Sequence, residues 1–142
     1  MPAAPSMEPT TPIHIAFYGS LMQSQGMQRD LRIAGQLELV GPCQIFGTLY
    51  DLGDYPGLIE SATDRVQAEL YRIKDSAVLA LLDAYEDYQP NNEAGSLYLR
   101  RIVRLTEPDL DCWVYFYNRE IFESQRVPHG NWLTGRGARS GG

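Results

Sequence analysis

The sequence predicts an α+β domain: a small, curved, barrel-like mixed sheet with flanking helices. Three observations predict it. Apolar residues alternate over short stretches near 13–18, 66–73, 97–105 and 112–117, the mark of strands. One segment, 76–87, carries apolar residues at helical spacing. The order of these elements shows no regular strand–helix–strand alternation of the kind that builds a parallel sheet. With 142 residues, the chain suits one domain whose core needs no metal or disulfide staple.

The elements follow in chain order. Ile13, Ile15 and Phe17 alternate with His14, Ala16 and Tyr18, and the strand ends at the turn Gly19-Ser20. Residues 24–33 are polar with helical character, and Gly35 offers a C-terminal stop. Residues 36–51 are β-formers broken at Gly41-Pro42 and at Gly47, which predicts two short strands with a bend. Gly53, Pro56 and Gly57 give 52–58 loop chemistry. A strand is predicted over 66–73 and a helix over 76–87, capped by Asp75 or Ser76 through a backbone N–H. In that helix Val78, Leu81, Leu82 and Tyr85 form the expected buried stripe. A polar loop at 89–96 leads to strands at 97–105 and 112–117. Residues 1–11 and 134–142 read as disordered tails around a domain at 12–133. The first of these lacks the basic and apolar regions of a signal peptide.

Composition narrows the function classes. The net charge is −6 and the pI about 4.8. No Lys/Arg cluster is dense enough to track a phosphate backbone, which argues against a nucleic-acid partner. No apolar run approaches the roughly 20 residues that span a bilayer, which argues against a membrane partner. Cys43 and Cys112 lack metal-ligand spacing. They can pair, but two buried thiols in a reducing, cytoplasmic setting is the preferred reading. Two histidines, His14 and His129, make a His-rich metal site improbable. Neither stands in a recognisable triad with Ser20, and each cysteine lies in an apolar strand where thiols are inert.

Glu86 is the carboxylate that does not fit. With Val78 at zero on a helical wheel, Leu82 falls at roughly 40°, Glu86 at roughly 80° and Leu79 at roughly 100°. Asp83 and Asp87 fall near 140° and 180° by the same count, further toward solvent. Glu86 therefore projects toward the apolar side near the helix's negative end, and both effects raise a carboxyl pKa. A Glu so raised can take and return a proton near neutral pH. The alternatives are an ion pair with an Arg from a neighbouring strand, or a side chain that snorkels out at the helix end.

Two further features surround a candidate site. At Tyr18-Gly19-Ser20-Leu21, Gly19 permits close backbone approach, and exposed N–H groups there can bind a carboxylate or carbonyl oxygen. A plain strand-to-helix turn is the alternative. On the last strand, Trp113, Tyr115 and Tyr117 share one face, and Cys112, Val114 and Phe116 fill the other. With Tyr98 and Arg100 on the strand before, the first face suits a tyrosine-lined cavity for a small polar ligand. Core packing is the alternative, and the preferred one for Trp113 and Phe116.

Taken in order, these segments resemble the γ-glutamylcyclotransferase superfamily, in particular its bacterial AIG2-like and YtfP-like branch. Tyr18-Gly19-Ser20-Leu21 is similar to the family's substrate loop. Tyr55-Pro56-Gly57-Leu58-Ile59 is similar to its YPG segment, and Leu82-Asp83-Ala84-Tyr85-Glu86 to the helix end that carries its catalytic Glu. Tyr98-Leu99-Arg100, Trp113-Val114-Tyr115 and His129-Gly130-Asn131-Trp132-Leu133 follow in family order. The last departs slightly from the more usual G-D-W. The resemblance covers nearly the whole core and implies a small mixed β-barrel. It also implies a cofactor-independent, metal-free closure of a γ-glutamyl amide to 5-oxoproline. Glu86 would be the catalytic acid/base. The 18–21 loop would hold the substrate, and Tyr98 and Tyr115 would hydrogen-bond the substrate or Glu86. The implied partner is a small γ-glutamyl compound, with monomer and homodimer both open. A binding module of the same fold without turnover, or an enzyme removing a γ-glutamyl protecting group, would carry the same residues.

Overall fold

In a computed structural model the described residues are 11–19, 21–22, 27–53, 55–122 and 125–127, with Asp30 described by its backbone alone. Ser20, residues 24–26 of the first predicted helix, the 129–133 segment and nearly all of both expected tails lie outside them. Strands β1 (His14–Phe17), β2 (Leu37–Asp51), β3 (Pro56–Ile73), β4 (Tyr98–Arg104) and β5 (Asp111–Tyr117) form one sheet in the order β2-β3-β1-β5-β4. β1 runs antiparallel to β3 and parallel to β5, with Ile15 opposite Trp113. The remaining pairs are antiparallel. The sheet is mixed, as predicted, but open. β2 and β4 are its edges. The four-residue β1 cannot carry the long β2–β3 ribbon round to β4, so barrel closure is not reached.

The ribbon differs most from expectation. β2 is one strand of 15 residues, and its register shifts fall beside Gly41 and at Gly47, where a bend between two strands is predicted. β3 begins at Pro56, ten residues before the predicted start, so Pro56, Gly57, Leu58 and Ile59 are strand. The pairing jumps from Phe46↔Arg65 to Gly47↔Glu60, which leaves residues 61–64 outside the ladder. There Ser61 Oγ accepts the N–H groups of Thr63 and Asp64. The ribbon turns at 52–55 through a bond from Leu52 N–H to Tyr55 O.

Helix α1 is short, Met27–Asp30. It ends on Arg32 at φ 59°, not on Gly35. Arg32 N–H bonds to Arg29 O and Ile33 N–H to Gln28 O, the paired bonds of a Schellman stop. Helix α2 is Val78–Tyr85. Asp75 supplies the predicted cap early, accepting from Ala77 N–H at 2.9 Å. Val78 and Leu82 are fully buried, and the partly buried Leu79 packs on the core. Leu81 and Tyr85, expected in the buried stripe, are 50% and 36% exposed. The contact arc is rotated: on the wheel it runs from Val78 at zero to Asp83 near 140°, centred close to Glu86 at about 80°.

Gly41 adopts φ 152°, a conformation that L side chains rarely hold, in otherwise open space. Gly35 is equally uncrowded and has no such φ. In denaturant unfolding, Gly41→Ala should therefore cost about 1–3 kcal/mol, while Gly35→Ala should cost well under half of that.

Candidate active site

Glu86 is the C-cap of α2, one position beyond the helix, at φ −85° and ψ 0°. Its N–H bonds to Leu82 O at 2.9 Å. Asp87 follows at φ 55°, and Tyr88 N–H returns to Asp83 O at 2.8 Å. This is a second Schellman stop. Its left-handed position is filled by an Asp, one of the few non-glycine residues that tolerate it. Leu97 N–H bonds to Asp87 O and fastens the turn to the chain entering β4. The backbone that carries Glu86 is thus fixed on both sides.

Asp83 takes the part that the sequence left open for Glu86. It forms a bidentate ion pair with Arg100 of β4, at 2.8 and 3.0 Å, with both side chains about one-seventh exposed (13% and 14%). It also accepts the Tyr115 hydroxyl at 2.7 Å. The Arg100 guanidinium lies over the Trp113 ring, 4.3 Å from its centroid, a favourable cation–π contact. Trp113 therefore packs, as preferred, while its Nε1 is buried with no hydrogen-bond partner among the described residues. The expectation that Asp83 faces solvent is overturned. An arginine one strand away draws it in, and helical angle alone cannot register that.

Between the α2 end, the β1 exit and the starts of β3 and β4 lies a cavity of about 260 Å³. That is slightly below the range of roughly 300–1,000 Å³ for small-molecule sites, so it suits a compact ligand. All six of the predicted site residues with described positions line it, namely Glu86, Tyr18, Gly19, Leu21, Tyr98 and Tyr115. Ser20 lies outside the described residues. Gly19 is required for close approach: a Cβ there would stand 2.7 Å from Pro56 Cγ. Met22 N–H bonds to Gly19 O, and the buried Gln28 donates its Nε2–H to Leu21 O at 2.6 Å, so α1 braces the loop. Sequence reasoning missed Gln28, along with Tyr55, Pro56 and Tyr85, which also line the cavity. A polar residue at helical spacing after a loop, and the aromatics inside the matched segments 55–59 and 82–86, are the signals that could have found them.

The tyrosine hydroxyls are oriented by their partners. Tyr18 donates to Tyr115 O at 2.5 Å, Tyr98 to Pro56 O at 2.5 Å and Tyr115 to Asp83. Each partner can only accept, so each phenol's one proton is committed; the Tyr98 and Tyr115 oxygens are left as acceptors, while that of Tyr18 meets the Leu58 backbone N–H. Tyr98 and Tyr115 are therefore not donors to Glu86. Burial is the main cause that raises all three phenols well above their usual range, and the nearby Glu86 charge adds to it. They stay protonated at neutral pH.

Glu86 receives no hydrogen bond or ion pair among the described residues. By surface area it is only partly buried, since its side chain faces the cavity. Its carboxyl is nonetheless enclosed, and this desolvation pushes its pKa up to about 8. The thiols fit the buried, unpaired reading: both are free, and burial lifts Cys43 to about 11 and Cys112 to about 12. Neither lines the cavity. Among the described residues no three His, Cys, Asp or Glu side chains gather as a metal site would require. No helix among them is long and apolar enough to cross a membrane.

Comparison with known proteins agrees with this architecture. The family model described as Gamma-glutamyl cyclotransferase, AIG2-like matches residues 15–134. No curated protein matches the chain. The solution structure of YtfP from Escherichia coli is similar at 32% identity and a TM-score of 0.60, over 84% of this chain and 96% of that one. An AIG2-like protein from Mus musculus superposes at 23% identity and a TM-score of 0.58, over 84% and 92% of the two chains. PH0828, an uncharacterised protein from Pyrococcus horikoshii, superposes at 16% identity and a TM-score of 0.65, over 89% and 95%. The last two show the fold alone.

Replacing Asp83 and replacing Glu86 should move stability in opposite directions at neutral pH. Below pH 4.5 Glu86 is protonated in both the folded and unfolded chain and costs nothing. As pH rises from 4.5 toward 8 the unfolded chain ionises while the folded one keeps its proton, so stability falls, and above 8 the loss is complete. Glu86→Gln should remove that loss, with no gain at pH 4 and a gain on the order of 3 kcal/mol by pH 7. Asp83→Ala should cost about 3 kcal/mol at pH 7, since it strands Arg100 and Tyr115. Thermal or urea unfolding across pH checks both.

Proposed function

The chain belongs to the Gamma-glutamyl cyclotransferase, AIG2-like family, and from that premise we propose that it is an enzyme closing a γ-glutamyl amide to 5-oxoproline, with Glu86 as general acid/base. One observation carries the reading. A desolvated carboxyl with a pKa near 8, and with no hydrogen-bond or ion-pair partner among the described residues, faces a small cavity, and a proton-transferring group needs that placement. A structural carboxylate in this fold has a different appearance, which Asp83 supplies.

The chemistry balances on one proton. The substrate's α-amine rests against the acceptor oxygens of Tyr98 and Tyr115. Bound as the free base after its ammonium has given one proton to solvent, the amine attacks the γ-carbonyl carbon with its lone pair, and Glu86, as carboxylate, takes the one further proton that the nitrogen must lose. A C–N bond forms, the carbonyl oxygen becomes an oxyanion, and backbone N–H groups near Gly19 and Leu21 stabilise it or the α-carboxylate. On collapse the bond to the leaving amine breaks, and Glu86 returns its proton to that nitrogen. Attack within one molecule needs orientation more than activation, so a shaped cavity supplies much of the acceleration. No cofactor enters this sequence.

Product analysis on a panel of γ-glutamyl amides should find 5-oxoproline, with kcat reduced at least about a hundredfold in Glu86→Gln. For the free enzyme, kcat/KM should climb with pH through about 8 as Glu86 ionises. Equal rates in the two proteins, or release of glutamate in place of 5-oxoproline, would reject the assignment.

A further inference from the structure

The cavity's outer wall is aromatic, with no positive side chain among the described residues that line it. Tyr55 and Tyr85 line it, and they are the cavity's two most solvent-exposed rings, at 39% and 36%. The Tyr55 ring stands 6.3 Å from that of Tyr98, so the mouth continues directly into the floor. Among the described residues no Lys or Arg lines the cavity. Arg100, the guanidinium behind Tyr115, is already bound to Asp83 and stacked on Trp113. Glu86 is the only carboxylate among the lining residues, and it lies at the floor.

These observations restrict what can leave. The γ-glutamyl head brings one ammonium and one carboxylate, so it is neutral overall. A second carboxylate on the leaving amine would enter an aromatic mouth with no cation among its described lining residues, in a chain of net charge −6. An extra ammonium would find no acid beside Tyr55 and Tyr85 among the described lining residues. Resting on the proposed cyclotransferase reading, we infer that the leaving amine carries an uncharged, apolar substituent that packs against Tyr55 and Tyr85. These two tyrosines are then specificity-determining residues. The reading disfavours leaving groups that end in a free carboxylate, as a peptide's C-terminus does.

The test uses matched leaving groups that differ in charge alone. For wild-type protein, kcat/KM for γ-glutamyl-phenylalaninamide should exceed that for γ-glutamyl-phenylalanine at least about tenfold. A neutral γ-glutamyl-pentylamide should likewise exceed a γ-glutamyl-diaminobutane of similar length. Tyr85→Ala or Tyr55→Ala should narrow the advantage of γ-glutamyl-phenethylamide over γ-glutamyl-methylamide. Calorimetry on Glu86→Gln should rank the matched ligands in the same order, independently of turnover. Turnover with the carboxylate or the diamine preferred, or an unchanged ratio in both tyrosine variants, overturns the inference while the cyclotransferase reading stands. Absence of 5-oxoproline from every compound, with the calorimetric ranking intact, supports the apolar mouth and overturns the cyclotransferase reading.

Discussion

The site depends on a division of labour between two carboxylates three residues apart. Asp83 is charged, paired and hydrogen-bonded, and it ties the last turn of α2 to β4 and β5 through Arg100 and Tyr115. That tie allows Glu86 to be held where a charge is unfavourable. An unpaired carboxyl on a loosely attached helix end would swing to water and recover its ordinary acidity. Here the ion pair, the left-handed Asp87 and the bond from Leu97 N–H to Asp87 O leave the backbone little freedom to do so. The cost of desolvating Glu86 is carried by interactions that do not touch its carboxyl.

The same economy governs the tyrosines. A hydroxyl can donate or accept, and a pocket of free hydroxyls would adapt to many ligands. In this cavity the donor side of Tyr18, Tyr98 and Tyr115 is occupied by acceptors of the protein itself. What Tyr98 and Tyr115 offer a ligand is then acceptor oxygen alone, suited to a group that donates. Rigid orientation of this kind needs no reorganisation when a ligand arrives, which is the physical content of preorganisation.

Much of this could be read in advance. Alternation identified β1, β4, β5 and half of β3, because each is buried in a pattern that a local window can see. Gly41 and Gly47 located both irregularities of β2. The angle of Glu86 on the wheel located the unusual acid. The misreadings have a common cause. The first part of β3 looks like a loop because Pro56 and Gly57 are poor strand formers, and it becomes strand by pairing with Tyr50 and Asp51 across the ribbon. Asp83 looks solvent-facing because its partner lies 17 residues on. The turns at Arg32 and Asp87 were hidden because neither is glycine. In each case a long-range partner, or a φ that few side chains adopt, outweighed local preference.

One consequence follows from how the cavity is tied together. Tyr18 reaches Tyr115 across 97 positions of sequence, Tyr98 reaches Pro56 across 42, and Tyr115 reaches Asp83 across 32. β1, the first strand, finds its parallel neighbour only in the last. Closing loops of that length is entropically unfavourable until the intervening chain is in place. During synthesis on the ribosome, nine of the twelve residues that line the pocket have emerged by Glu86, but β4 and β5, which tie them together, come last. The nascent chain carries Glu86 before it has the Tyr115 that meets Tyr18 and Asp83, so the acid is enclosed only with the completed sheet.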